Sequence, residues 1–111
     1  MPAILCYVTC ADRDEAITIG RTLVEERLAA AANVLGDTVS IYRWDEALHE
    51  KPETALLLKT RAELAERLVA RVRELHSYAC PSVVVLPVTG GNAGYLEWVE
   101  AETETETATE G

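Results

Sequence analysis

The chain has 111 residues, enough for one domain, and no stretch approaches the roughly 20 apolar residues that a transmembrane helix needs. Its 19 acidic and 10 basic residues give a net charge of −9 at pH 7, which argues against nucleic acids and anionic membranes as partners, since Lys and Arg bind both. The three cysteines lack the even number and spacing of a disulfide framework, and the sequence shows no secretion signal. We therefore expect reduced thiols in the cytoplasm. Abundant acid and scarce lysine are typical of salt-adapted proteins, although an ordinary acidic protein explains them equally well.

The first segments predict a strand followed by a helix. Ala3–Thr9 is a short, mostly apolar run of the kind that forms a strand. Asp12 and Glu15 have the D-x-x-E spacing of a capping box and mark the start of the helix. Gly20 in the middle of a helix is unfavourable, so we expect it to pack closely on the sheet. Helical spacing predicts a buried stripe at Ala16, Gly20, Leu23 and Leu28.

The middle of the chain predicts two more strands. Gly36–Asp37 is typical of a turn, and Thr38–Trp44 alternates with a period of two, which predicts a strand. Asp45–Pro52 is polar and predicts a turning connection. Glu53–Lys59 is the next apolar run and predicts the third strand.

A second helix and a fourth strand follow. Thr60 is expected to cap the helix, with Glu63 paired to Arg67 one turn further on. Ser82–Val88 is so continuously apolar that it predicts a strand buried on both faces. Pro87 has no backbone N–H to donate, so the hydrogen bonding between strands should be interrupted there, at a sheet edge or a bulge. The buried stripe of the helix is predicted at Leu64, Leu68, Val72 and Leu75.

The order of these elements predicts an α+β fold of the ferredoxin-like βαββαβ type, with two helices on one face of an antiparallel sheet. The glycine pair Gly90–Gly91 predicts a sharp turn into a short terminal helix that carries Tyr95 and Trp98. Residues 1–101 form this domain. Residues 102–111 alternate acid with threonine and predict a disordered acidic tail.

Both faces of the second strand carry large apolar or aromatic groups, because Tyr42 and Trp44 have the opposite parity to Val39 and Ile41. The helices cover only one face of the sheet, and apolar surface on the uncovered face is typical of an interface. The sequence therefore predicts an oligomer. Its expected interface residues are Tyr42, Trp44, Tyr95 and Trp98.

Several segments are distinctive in combination: Leu28–Val34 (LAAAANV), Ser40–Trp44 (SIYRW), Leu58–Thr60 (LKT), His76, Tyr78, Pro81 and LPVTGGNAGYLEWV. From about Ala3 to Val99 the chain thereby resembles the CutA family of divalent-cation tolerance proteins. The resemblance implies a tight homotrimer, related in architecture to PII-type signalling proteins. It also implies tolerance to copper and other divalent cations, with no enzymatic reaction. Ala31 and Ala79 stand where that family often has cysteine and glutamate, so those two side chains are missing here as ligands.

A metal site is predicted where the first and fourth strands meet. These strands are antiparallel neighbours in the predicted fold, so Cys10 should lie near Cys80, with His76 at the end of the preceding helix. Thiolates with an imidazole suit copper. The alternative is two half-buried thiols and a histidine at a helix C-terminus. Cys6 lies too far along the strand from Cys10 to share a metal, so it is expected to be a buried apolar residue.

The sequence leaves two further ligand sites as alternatives. Arg43, Lys59 and the Gly90–Asn92 turn, with Gly91 and Asn92, could hold a small anion in a cleft between subunits, as in a PII-like sensor. His49 lies among acidic residues that could hold a hard cation, although such clusters are usually solvated.

No motif of an enzyme is present, because the sequence has no G-x-S-x-G, Walker loop or H-E-x-x-H. Three classes of function remain. They are a metal-binding tolerance protein, a sensor that binds a small ligand between subunits, and a trimeric scaffold. The first is the leading hypothesis.

Overall fold

The computed structural model describes residues 2–103. Within that range the strands pair antiparallel in the order β2-β3-β1-β4, which is the order of a ferredoxin-like βαββαβ sheet. The predicted α+β class and element order are thus confirmed. The elements are β1 (Ala3–Cys10), α1 (Arg13–Glu25), β2 (Ala31–Trp44), β3 (Ala47–Arg61), a 3-10 turn (Ala62–Leu64), α2 (Ala65–Leu75), β4 (Val83–Pro87) and α3 (Ala93–Ala101).

The core lies between the sheet and helices α1 and α2, on what we call the helix face of the sheet. Side chains alternate along β1, so Cys6, Val8 and Cys10 all point to this face and are fully buried. Gly20 packs as predicted, since a Cβ there would lie 3.0 Å from the Cβ of Ala32. The other large, fully buried core side chains packed there are Ile19, Leu23, Leu56, Leu58, Leu68 and Val72.

The predicted cap of α1 is present with one change of partner. The Asp12 carboxylate accepts a hydrogen bond from the Glu15 amide at 2.8 Å, as an N-cap should. The Glu15 carboxylate accepts from the amide of Ala11, one residue before the cap, rather than from Asp12 itself. This shift turns Glu15 toward the end of β1.

The β2–β3 hairpin is longer than the sequence predicts. Gly36–Asp37 was expected to be a turn and Asp45–Pro52 a connection, and both predictions are wrong, because cross-strand pairing runs on to Trp44 and Ala47. The only loop residues are Asp45 and Glu46. The polar residues of this ribbon are mostly exposed on both of its faces, which explains why they lack the apolar pattern of a strand. A register shift occurs between Leu35 and Asp37.

The start of α2 also differs from the prediction. Thr60 does not cap a helix, because β3 continues to Arg61 and pairs with β1 as far as Ala3. The Glu63 carboxylate binds Arg61, with Oε1 2.6 Å from Nε. Helix α2 itself begins only at Ala65.

Strand β4 is an edge strand, as Pro87 predicts, but it is not buried on both faces within one chain. Its residues Val84, Val85 and Leu86 are 52%, 42% and 41% exposed. The prediction of a strand buried on both faces is therefore wrong for the single chain.

Helix α3 packs against the opposite, open face of the sheet, where Val99 is buried with Ala3 and Ala30. Asn92 caps it by accepting a hydrogen bond from the Gly94 amide. Thr103, the last described residue, is buried, and its hydroxyl donates to the Val99 carbonyl. Residues 104–111 of the predicted tail lie outside the described residues.

Candidate functional site

Three metal-type donors meet where β1, α1 and α2 end or begin. Cys10 is the last residue of β1, Glu15 lies in the first turn of α1, and His76 follows the last turn of α2. One ligand atom from each, a thiol sulfur, a carboxylate oxygen and a ring nitrogen, lies within 4.8 Å of the other two. We call these three residues the donor cluster.

Hydrogen bonds hold the Glu15 carboxylate in place and determine the tautomer of the His76 ring. Nε2 of His76 lies 2.8 Å from the Thr9 carbonyl, to which it must donate, and Nδ1 accepts from the Tyr78 amide at 3.1 Å. The ring is therefore assigned as the neutral Nε2–H tautomer. The two oxygens of Glu15 accept from the amides of Ala11 and Ser77, each at 2.8 Å. The cluster thus ties the end of α2 to the beginning of α1.

The protonation of the cluster follows from its burial. Burial, reinforced by three nearby carboxylates, raises the pKa of the Cys10 thiol to about 12, so the sulfur carries its proton at neutral pH. Burial alone would raise the pKa of Glu15. The hydrogen bonds from Ala11 and Ser77 outweigh it, so the pKa of this carboxyl is lowered and it stays ionised.

The donors have the chemistry of a site for a borderline cation. Thiolate, imidazole and carboxylate are the ligands that zinc accepts, and the first two also suit copper. A metal would displace the thiol proton and compete for the ring nitrogen that now donates to Thr9. The residues present therefore fit a divalent cation whose binding releases protons.

Cys80 is not part of this cluster. Neighbouring residues of a strand point to opposite faces, so Cys10 faces the helices while Thr9 faces the open side of the sheet. Cys80 is exposed and lines a cleft together with Thr9 and Tyr42 on that open side. The structure thus brings Cys10 and His76 together but puts Glu15 in the place that the sequence assigns to Cys80.

The cleft has a volume of about 710 Å³ and lies between the β2–β3 hairpin and the segment that leads from α2 to β4. Its floor is a polar network. The Tyr78 hydroxyl donates to Oε2 of Glu53 at 2.6 Å, and the Lys51 ammonium lies 3.6 Å from the same oxygen. Burial opposes ionisation of Glu53, but hydrogen bonds from Ser40 and Tyr78 outweigh it and lower its pKa.

The four residues predicted to hold an anion do not converge within one chain. Arg43 lines the cleft at the hairpin. Lys59 pairs with Ala31 at the opposite end of β2, and its ammonium lies over the Tyr95 ring at 5.2 Å. Asn92 caps α3, and Gly91 precedes it with a φ of 157°.

Of the predicted interface residues, Trp44, Tyr95 and Trp98 are exposed on the single chain, and Tyr42 is partly buried. Trp44 is 63% exposed at the end of the hairpin, and Tyr42 stacks on His49 with ring centroids 5.3 Å apart. The His49 ring donates through Nε2 to the Trp44 carbonyl at 3.1 Å, and the donor cluster does not include His49. Tyr95 and Trp98 stack on each other at 5.6 Å, each about 40% exposed.

The sequence missed Glu15, Lys51 and Glu53 as functional candidates. The signal for Glu15 was its capping position, which the sequence interpretation used only for the helix. The signal for Lys51 and Glu53 was their spacing of two, which puts both on one face of a strand. The interpretation of residues 45–52 as a connection concealed that spacing.

The chain is thus a small ferredoxin-like α+β sandwich in which a buried thiol, an imidazole and a partly buried carboxylate lie together. Comparison with known proteins makes this specific. Residues 4–102 match the CutA1 divalent ion tolerance protein family, and the chain belongs to that family.

Relatives in sequence agree with this assignment. The chain is 42% identical over 96 residues to the divalent-cation tolerance protein CutA of Thermus thermophilus, covering 86% of this chain and 93% of that protein. It is 37% identical over 103 residues to the chloroplastic protein CutA of Arabidopsis thaliana. That alignment covers 93% of this chain but only 57% of the plant protein.

Solved structures agree as well. CutA1 from Oryza sativa superposes with a TM-score of 0.92 at 33% identity, covering 96% of this chain and 97% of the rice chain. The Thermus thermophilus Cut A1 structure superposes with a TM-score of 0.89 at 39% identity, covering 92% and 99%. Across the described residues, no helix is long and apolar enough to cross a membrane.

Proposed function

We propose that this protein acts in divalent-cation tolerance by binding copper or another divalent cation as a homotrimer in the cytoplasm, without catalysing a reaction. The observation that carries the proposal is the family match over residues 4–102. The donor cluster supports it independently, because it supplies a soft sulfur, an imidazole nitrogen and a carboxylate oxygen in one place.

The proposed ligands are Cys10, His76 and Glu15. Cys10 and His76 are common to the sequence-based hypothesis and to the cluster in the structure. We assign the third position to Glu15 instead of Cys80, since Cys80 lies exposed on the other side of the sheet. The cation supplies no chemistry in this proposal beyond being held, so the protein acts by sequestering or sensing it.

The homotrimer is supported by apolar surface that one chain leaves uncovered. Val39 and Ile41 on β2 are 66% and 63% exposed, and Leu48 on β3 is 68% exposed. The edge strand β4 adds further exposed apolar side chains. Surfaces of this kind are typical of contacts between subunits.

The decisive experiment is a titration of the reduced, metal-free protein with Zn²⁺, and in parallel with Cu(I), against a competing chelator. We expect one ion per chain. Cys10→Ala should weaken binding by at least about 100-fold, because a direct ligand contributes more than a residue that merely orients one. The matched control is Cys6→Ala, since Cys6 is also fully buried on the same face of β1 but lies outside the cluster.

The titration also has a pH signature. The pKa of Cys10 is raised to about 12, so below that value binding must expel a thiol proton and affinity should rise about tenfold per pH unit. Equal losses in the Cys6 and Cys10 variants, or no competition with the chelator, would contradict the metal site. The trimeric scaffold would then be the better explanation of the family match.

A further inference from the structure

The hydrogen bond from the Tyr78 amide to the His76 ring is incompatible with a cation on that ring. The His76 side chain is fully buried, and both of its nitrogens are engaged. Nε2 donates to the Thr9 carbonyl at 2.8 Å, and Nδ1 accepts from the Tyr78 amide at 3.1 Å. A neutral imidazole has one nitrogen with a free lone pair, and here the Tyr78 amide uses it.

The geometry of the donor cluster selects the nitrogen that a cation would take. Nε2 of His76 lies 3.8 Å from Oε1 of Glu15, whereas Nδ1 faces the Tyr78 amide. A cation shared by the cluster would therefore take Nε2, which must first lose its proton. The ring stays neutral if one proton leaves Nε2 and another is taken up from water by Nδ1.

The group opposite Nδ1 is of the wrong kind for the tautomer that results. A histidine that binds a metal through one nitrogen normally donates its other N–H to a carboxylate, a backbone carbonyl or a water. Here the Tyr78 amide occupies that place, so two N–H groups would oppose each other. The amide must move away to find another acceptor, because Tyr78 is partly buried and an unpaired donor there is costly.

This consequence does not depend on which nitrogen binds. Coordination through Nδ1 would use the very lone pair that now accepts from the Tyr78 amide, so that bond would be lost as well. The neighbouring bond can survive, since the Ser77 amide donates to Oε2 of Glu15 and leaves Oε1 for a cation. The change is thus confined to the backbone after Ser77, in the turn that follows α2.

We propose that a divalent cation in the donor cluster switches His76 from the Nε2–H to the Nδ1–H tautomer and breaks its hydrogen bond with the Tyr78 amide. The turn after α2 then differs between the metal-free and the metal-bound protein. The inference rests on the proposed function, because it needs a cation in the cluster. It goes further by assigning a backbone change that reports metal occupancy, which sequestration alone does not require.

The test is ¹⁵N NMR of the reduced, full-length protein in its native assembly, before and after saturation with Zn²⁺. Without zinc, Nε2 of His76 should have the shift of a protonated ring nitrogen and Nδ1 that of an unprotonated one. With zinc, Nδ1 should become the protonated nitrogen. His49 is the matched control, because it is the other histidine of the chain and lies outside the donor cluster. Its ring shifts should not change.

Amide hydrogen exchange gives a backbone readout on the same samples. The Tyr78 amide should exchange at least about tenfold faster with zinc bound, because the bond that protects it is broken. The control is the amide of His76, which donates to the Val72 carbonyl at 2.9 Å in the last turn of α2. Its exchange rate should change less than about twofold, since that bond is not part of the switch.

Two variants connect the change to the cluster. Cys10→Ala lacks a proposed ligand and should show neither effect at the same zinc concentration, whereas Cys6→Ala should show both.

The chelator titration, run in parallel, separates this inference from the proposed function. One zinc ion bound per chain, with Nδ1 unprotonated or the exchange of Tyr78 unchanged, would overturn the switch and leave metal binding intact. An Nδ1–H tautomer already present without zinc would overturn the switch independently of any metal. No zinc binding would overturn both proposals.

Discussion

A single carboxylate, that of Glu15, connects three parts of the molecule. Its oxygens accept hydrogen bonds from Ala11, just after β1, and from Ser77, just after α2. It also lies 3.8 Å from the His76 ring in the donor cluster. These hydrogen bonds support the fold whether or not a metal binds, so the ionisation of Glu15 should influence stability.

We expect Glu15→Gln to destabilise the fold at pH 7, because a neutral amide cannot serve both donors as an ionised carboxylate does. The folded-state pKa of Glu15 is lowered, so the wild type has the full benefit above the unfolded value of about 4.3 and loses it as the pH falls through the folded pKa. The difference between wild type and variant should therefore shrink in acid. Urea unfolding at a series of pH values measures it.

The control for this prediction is Glu66→Gln. Glu66 is exposed in the first turn of α2, so it has the same position relative to a helix dipole but no such anchoring role. It should change stability by less than about 0.5 kcal/mol. A Glu15 variant as stable as the Glu66 variant at pH 7 would show that the anchoring bonds are unimportant.

Part of the site could be predicted from individual residues. The topology of the fold was enough to associate Cys10 with His76, because antiparallel neighbours bring opposite ends together. Glu15 was recognised only as a capping residue, since a capping pattern does not reveal that its carboxylate reaches Ser77, 62 residues away. The position of Cys80 could not be deduced, because it depends on which face of the sheet the preceding loop crosses.

At the scale of elements, the β2–β3 hairpin is the feature that the sequence describes least well. Its strands pair up to a loop of two residues, Asp45 and Glu46, with φ values of 53° and 63°. Two positive φ values in a two-residue loop are the backbone of a type I′ turn, for which Asn-Gly is preferred. Asp-Glu is a poor signal for that turn, so the hairpin was not predictable from its loop.

Glu46→Gly should stabilise the protein by about 0.5–1 kcal/mol, because glycine adopts a positive φ without the steric cost that glutamate incurs there. Chemical denaturation of both proteins at one ionic strength measures the change. Glu50→Gly is the matched control, since Glu50 lies within β3 of the same ribbon. It should be destabilising by a similar amount, because glycine weakens the interior of a strand. Stabilisation by both substitutions would point to an effect of lost charge instead of turn geometry.

The helices and the strands with a clear apolar pattern were predictable. The stripes of α1 and α2 follow a period of 3.6, and Leu68 and Val72 are fully buried as expected. The predicted ends of the elements are wrong where pairing between strands overrides the local sequence pattern. Thr60 is an example, because pairing with β1 keeps it in β3 instead of at the start of a helix.

At the scale of the whole molecule, the most informative observation is apolar surface without cover. Val39, Ile41 and Leu48 project from the part of the hairpin that extends beyond the helices, and each is more than 60% exposed. The described chain is elongated, measuring 46 × 31 × 24 Å. The proposed association of three chains would give the ribbon a partner.

Ile41→Glu should convert the proposed trimer to a monomer, because it places a charge in a desolvated contact. Light scattering after size exclusion gives the mass, which should fall from that of three 12.1 kDa chains to that of one. Thr18→Glu adds the same charge on an exposed position of α1 and should leave the mass unchanged. A wild type of one-chain mass, or an unchanged mass for the Ile41 variant, would contradict a hairpin-mediated trimer.

The register shift between Leu35 and Asp37 has a consequence for the sidedness of β2. Before it, Val34 pairs with Leu56 and faces the core; after it, Thr38 pairs with Glu53 and faces the open side. Uninterrupted alternation would have sent every even-numbered residue of this strand to the helices. One extra residue inverts the strand, so that its first half builds the core and its second half presents Tyr42 to the cleft.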